Sequence, residues 1–187
     1  MHWRAAAALE TSDHASLSNA ASALLNQRSA PALRRAIPLL RALVASLLEE
    51  AAGDGDGAAE RGDRVADEQL AGAADRGRVQ GGLTYARARL AVALALLPKA
   101  EAEAADDERQ GLLKLLLERL AHQPSAESRR AAIFAAFSLE ETNPTHARQL
   151  LEECARGEDA AAALGLQASS VFYRLGRLLR LSGRATE

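Results

Sequence analysis

Apolar residues recur every three or four positions along most of this 187-residue chain, the spacing that lines side chains along one face of an α-helix. Thr11, Ser12 and Asp13 offer N-caps, and Leu17, Ala21 and Leu24 then keep helical spacing to an end near Gln27. A shorter helical stretch around Trp3 precedes them. Ser29 and Pro31 restart the chain as cap and first turn, and Leu33, Ile37, Leu40, Val44 and Leu47 form one apolar stripe. Pro38 falls inside that stripe. It lacks a backbone donor and crowds the preceding turn, which predicts a kink over residues 34–38.

Over residues 51–82 the pattern dissolves into Gly, Asp, Ala and Arg, with few sizeable apolar residues, Val65 and Leu70 among them. Eight of the thirteen glycines lie here, and from Glu49 to Gly82 nine acidic residues face four arginines, so the acidic excess of a chain with net charge −2 is concentrated in one segment. Such a composition buries too little surface to offset the entropy of ordering. It predicts a flexible stretch over 53–57, a weak helix over 58–74 and a hinge over 76–82. The domain reading is therefore an N-terminal helical segment (1–50), a Gly/Asp-rich linker (51–82) and a helical-hairpin domain (83–187).

Periodicity returns with Leu83, Leu90, Leu94 and Leu97, a helix that Pro98 cuts, and residues 99–105 extend it. Asp107 and Gln110 have the spacing of a capping box for the next helix. Residues 112–120 are leucine-rich on more than one face, which predicts a helix buried between neighbours. Pro124 and Ser125 open another, with Ile133, Ala136 and Phe137 inward. Thr142, Asn143 and Pro144 make a turn into a partner helix whose Ala147, Leu150, Leu151 and Cys154 face the core, closed by Gly157. A last helix over 160–181 carries Leu164, Ala168, Val171, Leu175 and Leu178 on one face. Gly165 and Gly176 lie within it, each costing about 1 kcal/mol relative to Ala, a cost most easily offset where another backbone packs close. With β-branched and aromatic residues scarce, no strand is expected. The fold class is all-α: antiparallel helical hairpins stacked as a short solenoid or an irregular bundle, about seven to eight helices.

Within the last third, Phe172, Leu175, Gly176 and Leu179, followed by Gly183, fall on the first-helix positions of the pattern W-x2-L-G-x2-Y. Ala131, Phe134, Ala135 and Ser138 take the same places 41 residues earlier, followed by Ala147, Leu151 and Cys154 at second-helix spacing. This third of the chain resembles tetratricopeptide repeats. The period is longer than the usual value of about 34 residues, and HEAT-like hairpins accept it equally well. Arg89, Ala91, Val92 and Ala95 echo Arg130, Ala132, Ile133 and Ala136 at the same offset. The resemblance implies stacked hairpins that bind a protein partner.

Candidate chemistry changes this picture little. No Gly-rich loop ends in Lys-Ser/Thr, and no G-x-G-x-x-G, G-x-S-x-G or H-E-x-x-H occurs. Glu10 with His14, and Glu118 with His122, stand four apart, whereas a bundle di-iron site uses Glu-x-x-His. No catalytic residue, metal or cofactor is expected. Cys154 is the only cysteine and continues an apolar stripe, so it is read as a buried, inert thiol. His146 falls in a first helical turn and is expected to be exposed. Arg174, Arg177, Arg180 and Arg184, at spacings of three or four with no acidic residue between them, form a stripe suited to a partner or to phosphates. The plainer alternative has them solvating the outer face of a terminal helix and pairing with Glu152, Glu153 or Asp159. Phe172 and Tyr173 adjoin the stripe. Phe172 is read as core and Tyr173 as a contact residue, while Arg34, Arg35 and Arg41 give a second basic area.

The function expected is that of a non-catalytic helical adaptor, or a subunit of a larger assembly, that binds a protein partner. The alternative is a nucleic-acid-associated helical accessory subunit of a ribonucleoprotein. If the leucine-rich helix over 112–120 is not covered by its own chain, a homo-oligomer is implied. Residues 1–9 are too short for a signal core, and no run reaches the ~20 apolar residues that span a bilayer. A cytoplasmic protein without membrane contact is expected, and the excess of Arg over Lys suggests a GC-rich bacterial genome.

Overall fold

The computed structural model describes residues 14–56, 66–156 and 160–183. All regular structure among them is helical: α1 (His14–Asn26), α2 (Ala30–Asp56), α3 (Ala66–Ala95), α4 (Lys99–Ala104), α5 (Asp106–His122), α6 (Ala126–Leu139), α7 (Pro144–Cys154), α8 (Ala160–Leu164), a 3-10 turn (Gly165–Gln167) and α9 (Ala168–Leu181). Seven of these helices have eleven residues or more, and α4 and α8 are short. This is the all-α class that the periodicity predicts. The chain divides into two compact units, Met1–Arg87 and Ala88–Glu187, with the boundary inside α3.

In the first unit α1 packs along α2. Leu17, Ala21 and Leu25 are buried on α1, and Leu33, Ile37, Leu40, Leu43 and Leu47 on α2. Helix α2 runs through Pro38 without interruption. His14 ties the two helices together: its Nε2 lies 2.8 Å from Ser46 Oγ and its Nδ1 3.3 Å from Glu50 Oε2. Between the helices Arg28 adopts φ 49°, and its backbone N–H donates to Leu25 O at 3.1 Å. That left-handed position after a helix end suits glycine and costs a residue with a Cβ ~1–2 kcal/mol. Part of the relief is cancelled by the greater freedom of an unfolded glycine. Arg28→Gly is therefore expected to raise stability by about 0.5 kcal/mol in a urea melt.

The segment expected to be a linker differs from expectation. Helix α2 continues to Asp56, and α3 begins at Ala66 and runs unbroken through residues 76–82, where a hinge was expected. Residues 57–65 lie outside the described residues. The physical reason is packing. Val79, Leu83 and Ala86 are buried in one cluster with Leu17, Leu43 and Leu47, and a Cβ at Gly82 would stand 3.8 Å from Leu47, in ordinary contact. Tertiary burial of this kind outweighs the poor helix propensity of Gly and Asp.

In the second unit α7 is the central element, packing against α5, α6 and α9. Its buried residues are Ala147, Leu150, Leu151 and Cys154, the stripe read from sequence. Asn143 caps it, its Oδ1 accepting from the His146 N–H at 3.3 Å, with Pro144 in the first turn. Helix α6 opens on a reciprocal cap: Ser128 N–H donates to Ser125 Oγ at 3.1 Å, and Ser125 N–H donates to Ser128 Oγ at 2.8 Å. Its buried face is broad, comprising Ala131, Ala132, Ile133, Ala135, Ala136 and Leu139. Phe137 is half-buried rather than inward.

Several expectations are corrected here. Helix α5 is not buried all round. Leu113, Leu116 and Leu120 form one buried stripe, while Leu115 is 42% exposed. Asp107 does not cap it either, because α4 runs into α5 through Ala105 alone and places Asp106, Asp107 and Glu108 in the first turn, where the helix dipole favours them. The last helix, expected as one rod, breaks at Gly165, whose φ of 53° no continuing helix tolerates. A Cβ at Gly165 or Gly176 would meet nothing within 4 Å. Neither glycine is explained by a close approach among the described residues.

Candidate functional site on the outer face of the last helix

Helix α9 lies against α7 and α8. Val171 and Leu178 are buried and Ala168 and Leu175 half-buried, the stripe that its spacing predicts. The arginine stripe divides. Arg174 and Arg177 both form ion pairs with Glu140, the residue that follows α6. The Arg174 guanidinium also sits 4.2 Å from the centre of the Phe137 ring. The Glu140 side chain is only 5% exposed, and a carboxylate at a helix C-terminus is disfavoured both by burial and by the dipole. Two guanidiniums offset both effects, and the Phe137 ring helps hold one of them, Arg174, in place.

The pairing differs from either reading of the stripe. Glu152 and Glu153 are engaged by Arg148 and Arg156 instead. Arg180 is exposed and makes no ion pair among the described residues. Arg184 lies outside the described residues. Arg34, Arg35 and Arg41 are exposed on α2 and belong to the other unit. Sequence reasoning missed Glu140. Its partners lie 34 and 37 residues away, and no local spacing connects them.

What α9 leaves open is mixed. Tyr173 is 67% exposed, and Phe172 is also exposed (43%), which corrects its reading as core. Leu181 and Leu166 are exposed as well. On the outward side Ser169, Phe172, Tyr173, Gly176, Arg177 and Arg180 follow helical spacing. No Asp or Glu occurs from Ala160 to Gly183. Where the end of α9 meets the start of α7, a cleft of about 220 Å³ opens among Pro144, Thr145, Arg148, Leu178, Leu181 and Ser182. Small-molecule sites run to about 300–1,000 Å³, so this cleft suits an anchoring side chain better than a metabolite.

The other candidates are structural. Cys154 is fully buried, its Sγ 3.9 Å from Arg129 O. Burial pushes its thiol up from 9.0 to about 12, against the pull of Arg129. Native chain is therefore expected to react with iodoacetamide at neutral pH roughly 1,000-fold more slowly than chain unfolded in guanidinium, since only thiolate is nucleophilic. The same shift bears on stability. The unfolded thiol ionises first, so the contribution of Cys154 is intact below pH 9.0 and is lost as pH rises towards about 12. An alkaline melt of the native chain and Cys154→Ala measures it, the variant losing that component of the pH dependence. His146 is half-buried rather than exposed, with Nδ1 3.0 Å from Asn143 Oδ1. Burial, and then Arg109, lower its pKa, and Asp106 partly opposes them.

Among the described residues, no three His, Cys, Asp or Glu side chains gather as a metal site, and no helix is long and apolar enough to cross a membrane. No family model, curated protein or solved structure matches the chain.

Proposed function

We propose that this protein is a non-catalytic helical interaction module, an adaptor or a subunit of a larger assembly, that docks a protein partner on the outer face of α9. The observation that carries the reading is the division of labour along that helix. Arg174 and Arg177 are occupied by the buried Glu140, while Tyr173, Phe172 and Leu181 are presented to solvent beside Arg180. Exposed aromatic and leucine side chains on a helix that also carries an arginine unpaired among the described residues are of the composition enriched in protein-docking hot spots.

The repeat-like reading of the second unit belongs to the same proposal. Of the hairpin-pattern positions, Ala131, Ala135, Ala147, Leu151 and Cys154 are buried and Phe134 and Ser138 half-buried. The alternative, a nucleic-acid-associated subunit, requires free guanidiniums in a row. Of the stripe among the described residues, only Arg180 is without an ion pair, and a single phosphate contact gives little affinity at physiological salt. Affinity purification of the tagged chain from its native cell, with and without nuclease, separates the two. The adaptor reading expects a polypeptide partner retained after nuclease. Recovery that depends on RNA or DNA overturns it. In the cell a cytoplasmic location is expected, checked by fractionation.

A further inference from the structure

We propose that Ser46 is an activated nucleophile that takes an acyl group from a thioester or aryl ester donor, with His14 as its base and Glu50 positioning the imidazole. The site lies in the first unit and goes beyond the adaptor reading, on which it does not depend.

The pairing of α1 with α2 builds the constellation. Ser46 and Glu50 stand four residues apart on α2, one turn from each other on the same face. His14, the first residue of α1, reaches both: its Nε2 is 2.8 Å from Ser46 Oγ and its Nδ1 is 3.3 Å from Glu50 Oε2. Hydroxyl, imidazole and carboxylate thus follow one another in the order and at the reach that activation of a serine uses. Leu17, Leu43 and Leu47, close to the three in sequence, are packed in one buried cluster, which fixes the backbones that carry them.

The carboxylate sets the direction of the proton. It only accepts, so Glu50 favours the imidazole tautomer with its proton on Nδ1, and that leaves the Nε2 lone pair facing the Ser46 hydroxyl. Ser46 therefore donates to a basic nitrogen. Ser22, Ser128 and Ser182 donate instead to the backbone carbonyls of Ser18, Ser125 and Leu179, which take up no proton at neutral pH. The side chains of His14 and Glu50 are 37% and 39% exposed and Ser46 is half-buried, so a donor reaches the hydroxyl from solvent.

In the step proposed, Ser46 Oγ attacks the carbonyl carbon of the donor. As the O–C bond forms, the hydroxyl proton passes to His14 Nε2. The C–S or C–O bond to the leaving group then breaks, and the thiolate or phenolate departs with the electron pair and takes the proton from His14. The products are an acyl ester of Ser46 and a free thiol or phenol. The chemistry stops there for two reasons. Ser46 lies inside α2, whose backbone N–H groups are engaged in helix bonds and supply no oxyanion hole, and deacylation must expel the serine alkoxide, a far poorer leaving group than a thiolate or a phenolate. The site accepts an acyl group without turning it over, in keeping with a non-catalytic protein.

The test uses the full chain and p-nitrophenyl acetate at neutral pH, reading nitrophenolate release and locating the acetyl group by peptide mass spectrometry. Wild type is expected to release a burst of about one equivalent and to carry the acetyl group on Ser46. Ser46→Ala should lose both. His14→Gln should slow acylation of Ser46 by about 100-fold, and Glu50→Gln by about fivefold. Wild-type chain unfolded in urea keeps every residue and loses only the geometry, so it should show no preference for Ser46, an arm that does not depend on whether a variant folds. Ser46 labelled no faster than the lysines and the other hydroxyls of the native chain, or at a rate unchanged by His14→Gln, overturns the inference and leaves the three residues as a clasp between α1 and α2. Release that continues beyond one equivalent in wild type but not in Ser46→Ala also overturns it, and the non-catalytic reading with it, because the site is then hydrolytic.

Discussion

Glu140→Gln is expected to lower the stability of the second unit by about 2 kcal/mol and, unlike an ordinary destabilising change, to give the chain a new affinity for nucleic acid. Glu140 is nearly buried and is shared by Arg174 and Arg177. Removing one side of a buried pair typically costs about 3–5 kcal/mol. The cost here is lower because the two arginine side chains are 38% and 47% exposed and can turn to water. Once released, they join Arg180 on a helix with no acidic residue, which is the phosphate-gripping stripe that the sequence suggested. Measured by anisotropy on a labelled single-stranded oligomer across a salt series, the variant should bind with a log–log salt slope steeper by about 1–2 than wild type. Urea unfolding supplies the stability term. If the slope is unchanged and wild type already binds tightly, Glu140 is not what keeps this face from nucleic acid.

The second large effect concerns the core that holds α9 in place. Leu150→Ala should destabilise the second unit by about 3 kcal/mol, within the ~2–5 kcal/mol seen when buried leucines are truncated. Leu150 is fully buried on α7, the helix that packs against α5, α6 and α9. A cavity there loosens every contact of the unit at once. Leu115→Ala, on the exposed side of α5, serves as the control, with an expected cost below about 1 kcal/mol. Urea midpoints of the two variants make the comparison directly. Equal costs would contradict the placement of α7 at the centre.

The α7 stripe was legible because an Asn-Pro cap fixes where the helix starts, and four apolar residues at spacings of three and four leave no second face to choose. The hinge expected over residues 76–82 was misjudged on composition. The signal against it was Val79, four residues before Leu83, which extends the apolar stripe backward and is buried with Leu43 and Leu47 of α2. The packing that supplies the helix's stability is invisible to a window containing the helix alone. The leucines over 112–120 misled in the opposite sense, since neighbours cover only the Leu113–Leu116–Leu120 stripe. At Gly165 the residue was noticed and its role was not. Glycine serves close packing and left-handed turns alike, and only the φ of 53° distinguishes them.

The candidate site was legible in part. Charge spacing picked out Arg174, Arg177 and Arg180, and the adjoining Tyr173 is exposed. That two of these arginines are held by Glu140 depends on how α6 and α9 are brought together around α7, a tertiary relation that periodicity along one helix does not encode. The same relation exposes Phe172, which the repeat pattern assigned to the core.

The most direct measurement is site-specific photo-crosslinking from position 173 of the full chain in its native cell, followed by nuclease digestion and mapping of the crosslinked species. A docking surface on the outer face of α9 predicts a crosslink to a polypeptide that survives nuclease and is lost when the crosslinker is moved to the exposed side of α5 at Leu115. A crosslink to nucleic acid, or none above the Leu115 control, would contradict it.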